Sequence, residues 1–260
     1  MPNLAASFKS DNTLIPYITF GDPNPEFTLE LCDAVLSAGA DILEIGLPFS
    51  DPIADGPVVQ KSHQRALINK HNVKIEHALT ATKKLTDKHN KPVVFMGSVN
   101  LVLQFGIESF FKQAQAAGLA GIILPDMSFE ASEPYTQVAN KYHVPIIFLV
   151  SPLCSDERLQ QIVTASSGFI YLISTTGITG ERESIDLQLA TIIQKIRAIK
   201  DIPIAIGFGI SRPDHVETVN SIADGAIVGS HLIKIIDQYH NQPEVAKQAF
   251  VKRIKELKSL

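Results

Sequence analysis

A chain of 260 residues that is 45% hydrophobic, with a net charge of −4, has ample material for a buried core and is neither disordered in composition nor basic enough to suggest nucleic acid as a partner. Its two cysteines, Cys32 and Cys154, are too few for a disulfide framework and lie in no Cys/His cluster, so they read as small buried hydrophobes in a reducing compartment. Residues 1–12 lack the basic flank and apolar run of a signal peptide, and no segment reaches the roughly 18 apolar residues that cross a bilayer; a soluble, cytoplasmic protein without membrane contact is expected.

Eight short apolar runs follow one another along the chain, at 14–20, 42–49, 92–96, 121–125, 145–150, 169–174, 202–207 and 225–229. They are largely β-branched and continuous rather than alternating, as parallel strands covered on both faces would be. Helical patterns lie between them. Residues 26–38 place Phe27, Leu31, Val35 and Ala38 on one face and end at Gly39; 107–117 repeat this with Phe110, Phe111, Ala114 and Ala117, ending at Gly118. The long gap between the second and third runs holds an acidic loop and helical stretches at 60–67 and 75–88. Residues 246–260 read as a last amphipathic helix with its Lys and Arg side chains on a solvated face. No linker or low-complexity tract divides the chain. The expected fold is a (β/α)8 TIM barrel with extra helices, in one domain spanning 1–260; a doubly wound open sheet has no evident place for eight similar strands.

Active sites of such barrels lie at the carboxyl ends of the strands. No lysine or histidine sits in any predicted strand or at its carboxyl end, and no His/Asp/Glu group has metal-ligand spacing, so neither a Schiff-base nucleophile nor a metal is expected. Carboxylates and glycines remain. Glu44 stands alone in the second apolar run, sharing a face with Gly46, which would leave space above the carboxylate. Burial raises a carboxyl pKa and lets it donate a proton near neutrality; the bland alternative is a Glu paired with Arg or Lys inside the barrel. Asp55 follows in Ser50-Asp-Pro-Ile-Ala-Asp-Gly-Pro57, where it is either a turn and cap residue or the partner of Glu44 in acid–base chemistry.

Glycine-bearing turns follow three later strands: Gly177-Ile-Thr-Gly180, Gly207-Phe-Gly-Ile-Ser211 and Gly229-Ser230. Glycines there let backbone N–H groups and helix N-termini approach an anion, which suggests a phosphorylated ligand. Tyr171 is either a core aromatic or a wall for a planar substrate, and Asp126 either a helix cap or a ligand contact. His63, His71, His77 and His89 fall in helices and loops and read as solvated.

The block Leu43-Glu-Ile-Gly-Leu-Pro-Phe-Ser-Asp-Pro-Ile-Ala-Asp-Gly-Pro57 resembles the signature of the tryptophan synthase alpha-chain family. Pro16-Tyr-Ile-Thr-Phe-Gly-Asp-Pro23, Leu124-Pro-Asp126, Gly177-Ile-Thr-Gly180, Gly207-Phe-Gly-Ile-Ser211 and Val228-Gly-Ser230 extend the likeness over nearly the whole chain. The resemblance implies retro-aldol cleavage of indole-3-glycerol phosphate to indole and glyceraldehyde 3-phosphate. It also implies a beta-chain partner in an alpha2beta2 assembly, with pyridoxal phosphate on the beta chain and no cofactor on this one. Glu44 would be the general acid and Asp55 would stabilise charge at the indole nitrogen. Thr179 would bond Asp55 when the loop closes, and Gly180, Gly209, Gly229 and Ser230 would hold the phosphate. Tyr17, Val59, Tyr171 and Phe208 would line the indole pocket, while Asp51, Pro52 and Asn100 would face the beta chain. Two stretches depart from the family pattern: Gly97-Ser-Val-Asn100 lacks a tyrosine, and Met127-Ser-Phe-Glu130 lacks a proline.

Two other readings have distinct signatures. A sugar-phosphate isomerase using Glu44 for proton transfer would turn over without releasing indole. A binding subunit that activates a partner would form a tight complex without cleaving anything.

Overall fold

The computed structural model describes residues 4–8, 12–68, 73–173, 182–207 and 209–259, and the side chains of all of these except 182–187. Its strands are β1 (Leu14–Thr19), β2 (Leu43–Gly46), β3 (Val93–Met96), β4 (Gly121–Ile123), β5 (Ile146–Ile147), β6 (Leu149–Val150), β7 (Ile170–Ile173), β8 (Ile204–Gly207) and β9 (Gly225–Val228). All neighbouring pairs are parallel, in the order β5-β4-β3-β2-β1-β9-β8-β7-β6. The two ends of that order are halves of one extended run. β5 pairs with β4 and β6 with β7, and Phe148 between them accepts a bond from the Tyr171 N–H at 3.1 Å. The sheet therefore closes on itself as a barrel with eight strand positions, the fifth predicted run being parted at Phe148.

Helices cover the outside: α1 (Pro25–Ser37), α2 (Pro57–Ile68), α3 (Ile75–His89), α4 (Val99–Phe105), α5 (Ile107–Ala116), α6 (Glu133–Lys141), α7 (Asp156–Ala165), α8 (Arg182–Ile199), α9 (Pro213–Ile222), α10 (Ser230–Gln238) and α11 (Pro243–Leu257). Local chemistry sets their ends. The Asn24 side chain accepts from the Phe27 N–H to start α1, and Gly39 and Gly118 follow α1 and α5 with φ of 114° and 75°. Two helices instead of one follow β2 (α2 and α3), β3 (α4 and α5) and β9 (α10 and α11).

Burial explains the continuous apolar runs. One side of the strands packs outward with the helices, through Leu43, Ile45, Phe95, Leu172 and Ile206. The other fills the barrel with Ile15, Ile42, Val94, Ile147, Tyr171 and Ile227. Leu4 and Phe8 plug the amino-terminal end, with the Phe8 ring 5.3 Å from that of Phe169. Lys258, expected on a solvated face, instead turns under this end. Its ammonium reaches Asp41 Oδ2 at 2.9 Å, the same oxygen that accepts the Leu14 N–H. Cys32 is buried in α1 as expected, whereas Cys154, in the loop after β6, is only half-buried. Among the described residues no helix is long and apolar enough to cross a membrane.

Candidate active site

A cavity of about 470 Å³ opens at the carboxyl end of the barrel, within the size range of small-molecule sites. Eight of the residues singled out from the sequence line it: Tyr17, Glu44, Asp55, Val59, Tyr171, Gly209, Gly229 and Ser230. Asp51 and Pro52 border a smaller recess beside it, and Asn100 is half-buried in the first turn of α4. Thr179, Gly180 and Phe208 lie outside the described residues, as does His71.

Register places Glu44. It sits on β2 opposite Tyr17 of β1 and Val94 of β3, with 1% of its surface exposed. Its Oε2 is buried and has no hydrogen-bond partner, and among the described residues no Lys or Arg pairs with it. Burial, with the Asp55 charge adding to it, pushes its pKa up to about 8. A proton held by a carboxyl group at neutral pH is a usable acid. Asp55, in the loop between β2 and α2, is raised to about 6 by burial and so is ionised at neutrality.

The space expected above Gly46 is filled. A Cβ at that position would lie 2.0 Å from the Tyr17 hydroxyl, so the missing side chain lets a phenol lie across the neighbouring strand. The same device recurs across the barrel, where a Cβ at Gly207 would lie 2.3 Å from the Tyr171 hydroxyl. Each tyrosine is one strand away from its glycine and two residues back in register, since Tyr17 pairs with Glu44 and Tyr171 with Ala205. Tyr171 is thus both core and cavity wall. Burial holds both phenols well above their ordinary pKa, with the Asp55 and Glu44 charges acting in the same direction.

His63 departs from expectation. It is 4% exposed, because α2 turns back over the barrel mouth and carries the ring inward. The Phe49 N–H donates to its Nδ1 at 3.0 Å, while Nε2 lies 3.2 Å from the Tyr17 hydroxyl and 3.4 Å from Asp55 Oδ2. Burial lowers its pKa to about 4, so at neutrality the contact with Asp55 is that of a neutral imidazole with a carboxylate and not an ion pair. His89 is also not solvated but half-buried against Asp33 at 2.8 Å, whereas His77 is exposed as expected.

On the other side of β1 from Glu44, Gly229 precedes the first turn of α10, and after β8 Gly209 adopts φ of 74°. Free N–H groups at a helix start favour an anion. His231 and Lys234, one turn apart on α10, line the same cavity and were not visible as site residues from the strand ends. Asp126 resolves as a cap: its carboxylate accepts from Ser98 Oγ at 2.6 Å and the Val99 N–H at 2.8 Å, fixing the start of α4. Ser98, in the stretch that departs from the family pattern, is therefore part of this cap. Among the described residues no group of three or more His, Cys, Asp or Glu side chains gathers as a metal site would require.

The tryptophan synthase alpha chain family profile matches residues 4–260. A tryptophan synthase alpha chain from Solibacter usitatus is 38% identical over 244 residues, covering 93% of this chain and 91% of that one. A chain of the tryptophan synthase α2β2 complex from Pyrococcus furiosus superposes with a TM-score of 0.86 at 36% identity, covering 96% of this chain and 99% of that one. The tryptophan synthase alpha chain of Legionella pneumophila superposes with a TM-score of 0.87 at 31% identity, covering 100% and 97%.

Proposed function

The chain belongs to the tryptophan synthase alpha chain family, and on that premise we propose that it is the lyase subunit of tryptophan biosynthesis that cleaves indole-3-glycerol phosphate to indole and glyceraldehyde 3-phosphate. The observation that carries the reading is Glu44, a buried carboxyl group with no cation beside it among the described residues, facing a cavity that is also lined by the features of an anion cradle at Gly209, Gly229 and Ser230.

In this reaction the Glu44 carboxyl donates its proton to the indole ring carbon that bears the side chain. Positive charge develops at the ring nitrogen, where the Asp55 carboxylate stabilises it. Glu44, or a group beside it, then takes the proton from the hydroxyl on the adjoining side-chain carbon. That C–O becomes the aldehyde carbonyl as the carbon–carbon bond breaks, and the bonding pair returns to the ring to restore indole. Tyr17, Val59, Tyr171 and Phe208 hold the ring. Gly180, Gly209, Gly229 and Ser230 hold the phosphate, and Thr179 bonds Asp55 in the closed state.

The partner is a beta chain carrying pyridoxal phosphate, in a cytoplasmic α2β2 assembly. Three large apolar side chains in segments following barrel strands support that face as an interface: Ile53, Leu103 and Leu153 are 74%, 56% and 80% exposed. Ile53 adjoins Asp51 and Pro52, and Leu103 shares α4 with Asn100.

Release of glyceraldehyde 3-phosphate from indole-3-glycerol phosphate, measured with and without a beta chain, tests the proposal. Slow turnover that rises with the partner is the expected result. No turnover under either condition contradicts it.

A further inference from the structure

Beside the Glu44–Asp55 pair stands a buried group that the reaction as drawn does not use. His63 does not line the main cavity; it lines the small recess of about 30 Å³ behind it, which Asp55 and Tyr17 also border. It stands behind the carboxylate, on the side away from a bound substrate.

The hydrogen bonds fix which ring nitrogen carries the proton. The Phe49 N–H donates to Nδ1 at 3.0 Å, so in the neutral ring Nδ1 has no hydrogen and Nε2 does. That Nε2 is hydrogen-bonded to the Tyr17 hydroxyl at 3.2 Å and lies 3.4 Å from Asp55 Oδ2, and the Tyr17 hydroxyl lies 3.3 Å from Thr19 Oγ1. Such contacts are commonly long in a free enzyme and shorten in the complex. The titratable groups facing Asp55 from the surrounding elements are Glu44 on β2, Tyr17 on β1, Tyr171 on β7 and His63 on α2, with Asp51 and Asp126 bordering the recess. Among these described groups only His63 offers an N–H; the others are carboxyl groups and phenols.

We propose that His63 is a positioning residue for Asp55: its imidazole, held by the Phe49 N–H in the form protonated at Nε2, donates to the Asp55 carboxylate from behind the cavity wall. The donated bond orients the carboxylate toward the cavity and favours its ionised form, the one that stabilises positive charge on a substrate. The proposal rests on the lyase reading for its kinetic consequence but not for its geometry.

Two substitutions separate the halves of the contact. His63→Asn keeps an acceptor near the Phe49 N–H but ends short of Asp55. His63→Gln keeps an N–H at about the reach of Nε2. The expected result is a kcat lower by about 10- to 100-fold in H63N, the loss typical of a bond to a charged group, with KM little changed. The acid limb of its kcat/KM profile moves to higher pH, and H63Q recovers most of kcat. The reverse order, with H63N active and H63Q impaired, would mean that the ring serves only to hold Phe49 and would overturn the proposal. Imidazole nitrogen NMR of the parent protein reads the tautomer without substrate: protonated Nε2 is expected, and protonated Nδ1 overturns the proposal even where H63N fails to fold. A parent that does not cleave indole-3-glycerol phosphate overturns the lyase reading instead, and leaves the NMR result to judge His63.

Discussion

Asp22 and Glu44 are two acids buried to the same degree, 0% and 1% exposed, near the carboxyl ends of adjacent strands. Asp22 is fully engaged: Arg65 donates from Nε to Oδ1 at 2.8 Å and from a terminal nitrogen to Oδ2 at 2.7 Å, and Arg65 also reaches Asp237. Among the described residues Glu44 has no such partner. Burial raises both carboxyl groups, but at Asp22 the guanidinium pulls the other way, whereas at Glu44 the nearby Asp55 adds to the rise. Equal burial thus has opposite uses. A buried carboxylate with an arginine is a brace between elements; one without a cation is protonated, and its proton is available.

Substitutions that exchange these roles would break the comparison. The largest effect is expected from Glu44→Gln, which keeps the shape and removes the proton: kcat should fall by about 10²- to 10⁴-fold, the usual contribution of a general acid. Stability should not fall. Because the folded-state pKa of Glu44 is raised from 4.5 to about 8, the parent loses stability as pH rises through that window, by about 1.4 kcal/mol per unit of raised pKa. The variant has no such loss, so its thermal midpoint above pH 8 should equal or exceed the parent's. Retained turnover, or a large drop in melting temperature, would contradict the assignment.

Arg65→Ala should do the opposite. It leaves Asp22 buried and uncompensated, which costs about 3–5 kcal/mol, while activity per folded molecule is largely kept. Chemical denaturation with a parallel assay distinguishes the two outcomes. The pH profile sharpens the contrast further. Asp55 must be ionised and Glu44 protonated, so kcat/KM should rise through about pH 6 and fall through about pH 8. A rate that climbs steadily to pH 9 would mean that Glu44 acts only as a base. The smallest effect belongs to Asp126→Ala, which removes the acceptor of the Ser98 hydroxyl and the Val99 N–H at the start of α4 and should cost about 1 kcal/mol in denaturant with little change in kcat.

Most of the barrel was legible because its strands are buried on both faces and so read as unbroken apolar runs. The parting of the fifth strand at Phe148 was not, since neither side of that break changes the hydrophobic pattern. Glu44 stood out because a lone charge in such a run has few innocent explanations. His63 and Lys258 were misread for a shared reason. His63 lies on α2 and Lys258 just past the end of α11, where the neighbouring polar residues look solvated by period alone, and only the path of the chain over the barrel mouth or under its floor buries the side chain. The filling of Gly46 by Tyr17 is likewise a cross-strand event that no local pattern reports. His231 and Lys234 escaped because they lie on the first turns of α10 and not at a strand end.

The central claim is that Glu44 holds its proton at neutral pH. Infrared difference spectra between the parent protein and Glu44→Gln, recorded across pH, read that proton directly. A protonated-carboxyl band present at pH 6–7 and titrating near pH 8 is the predicted result. A Glu44 already ionised at pH 6 would contradict the account.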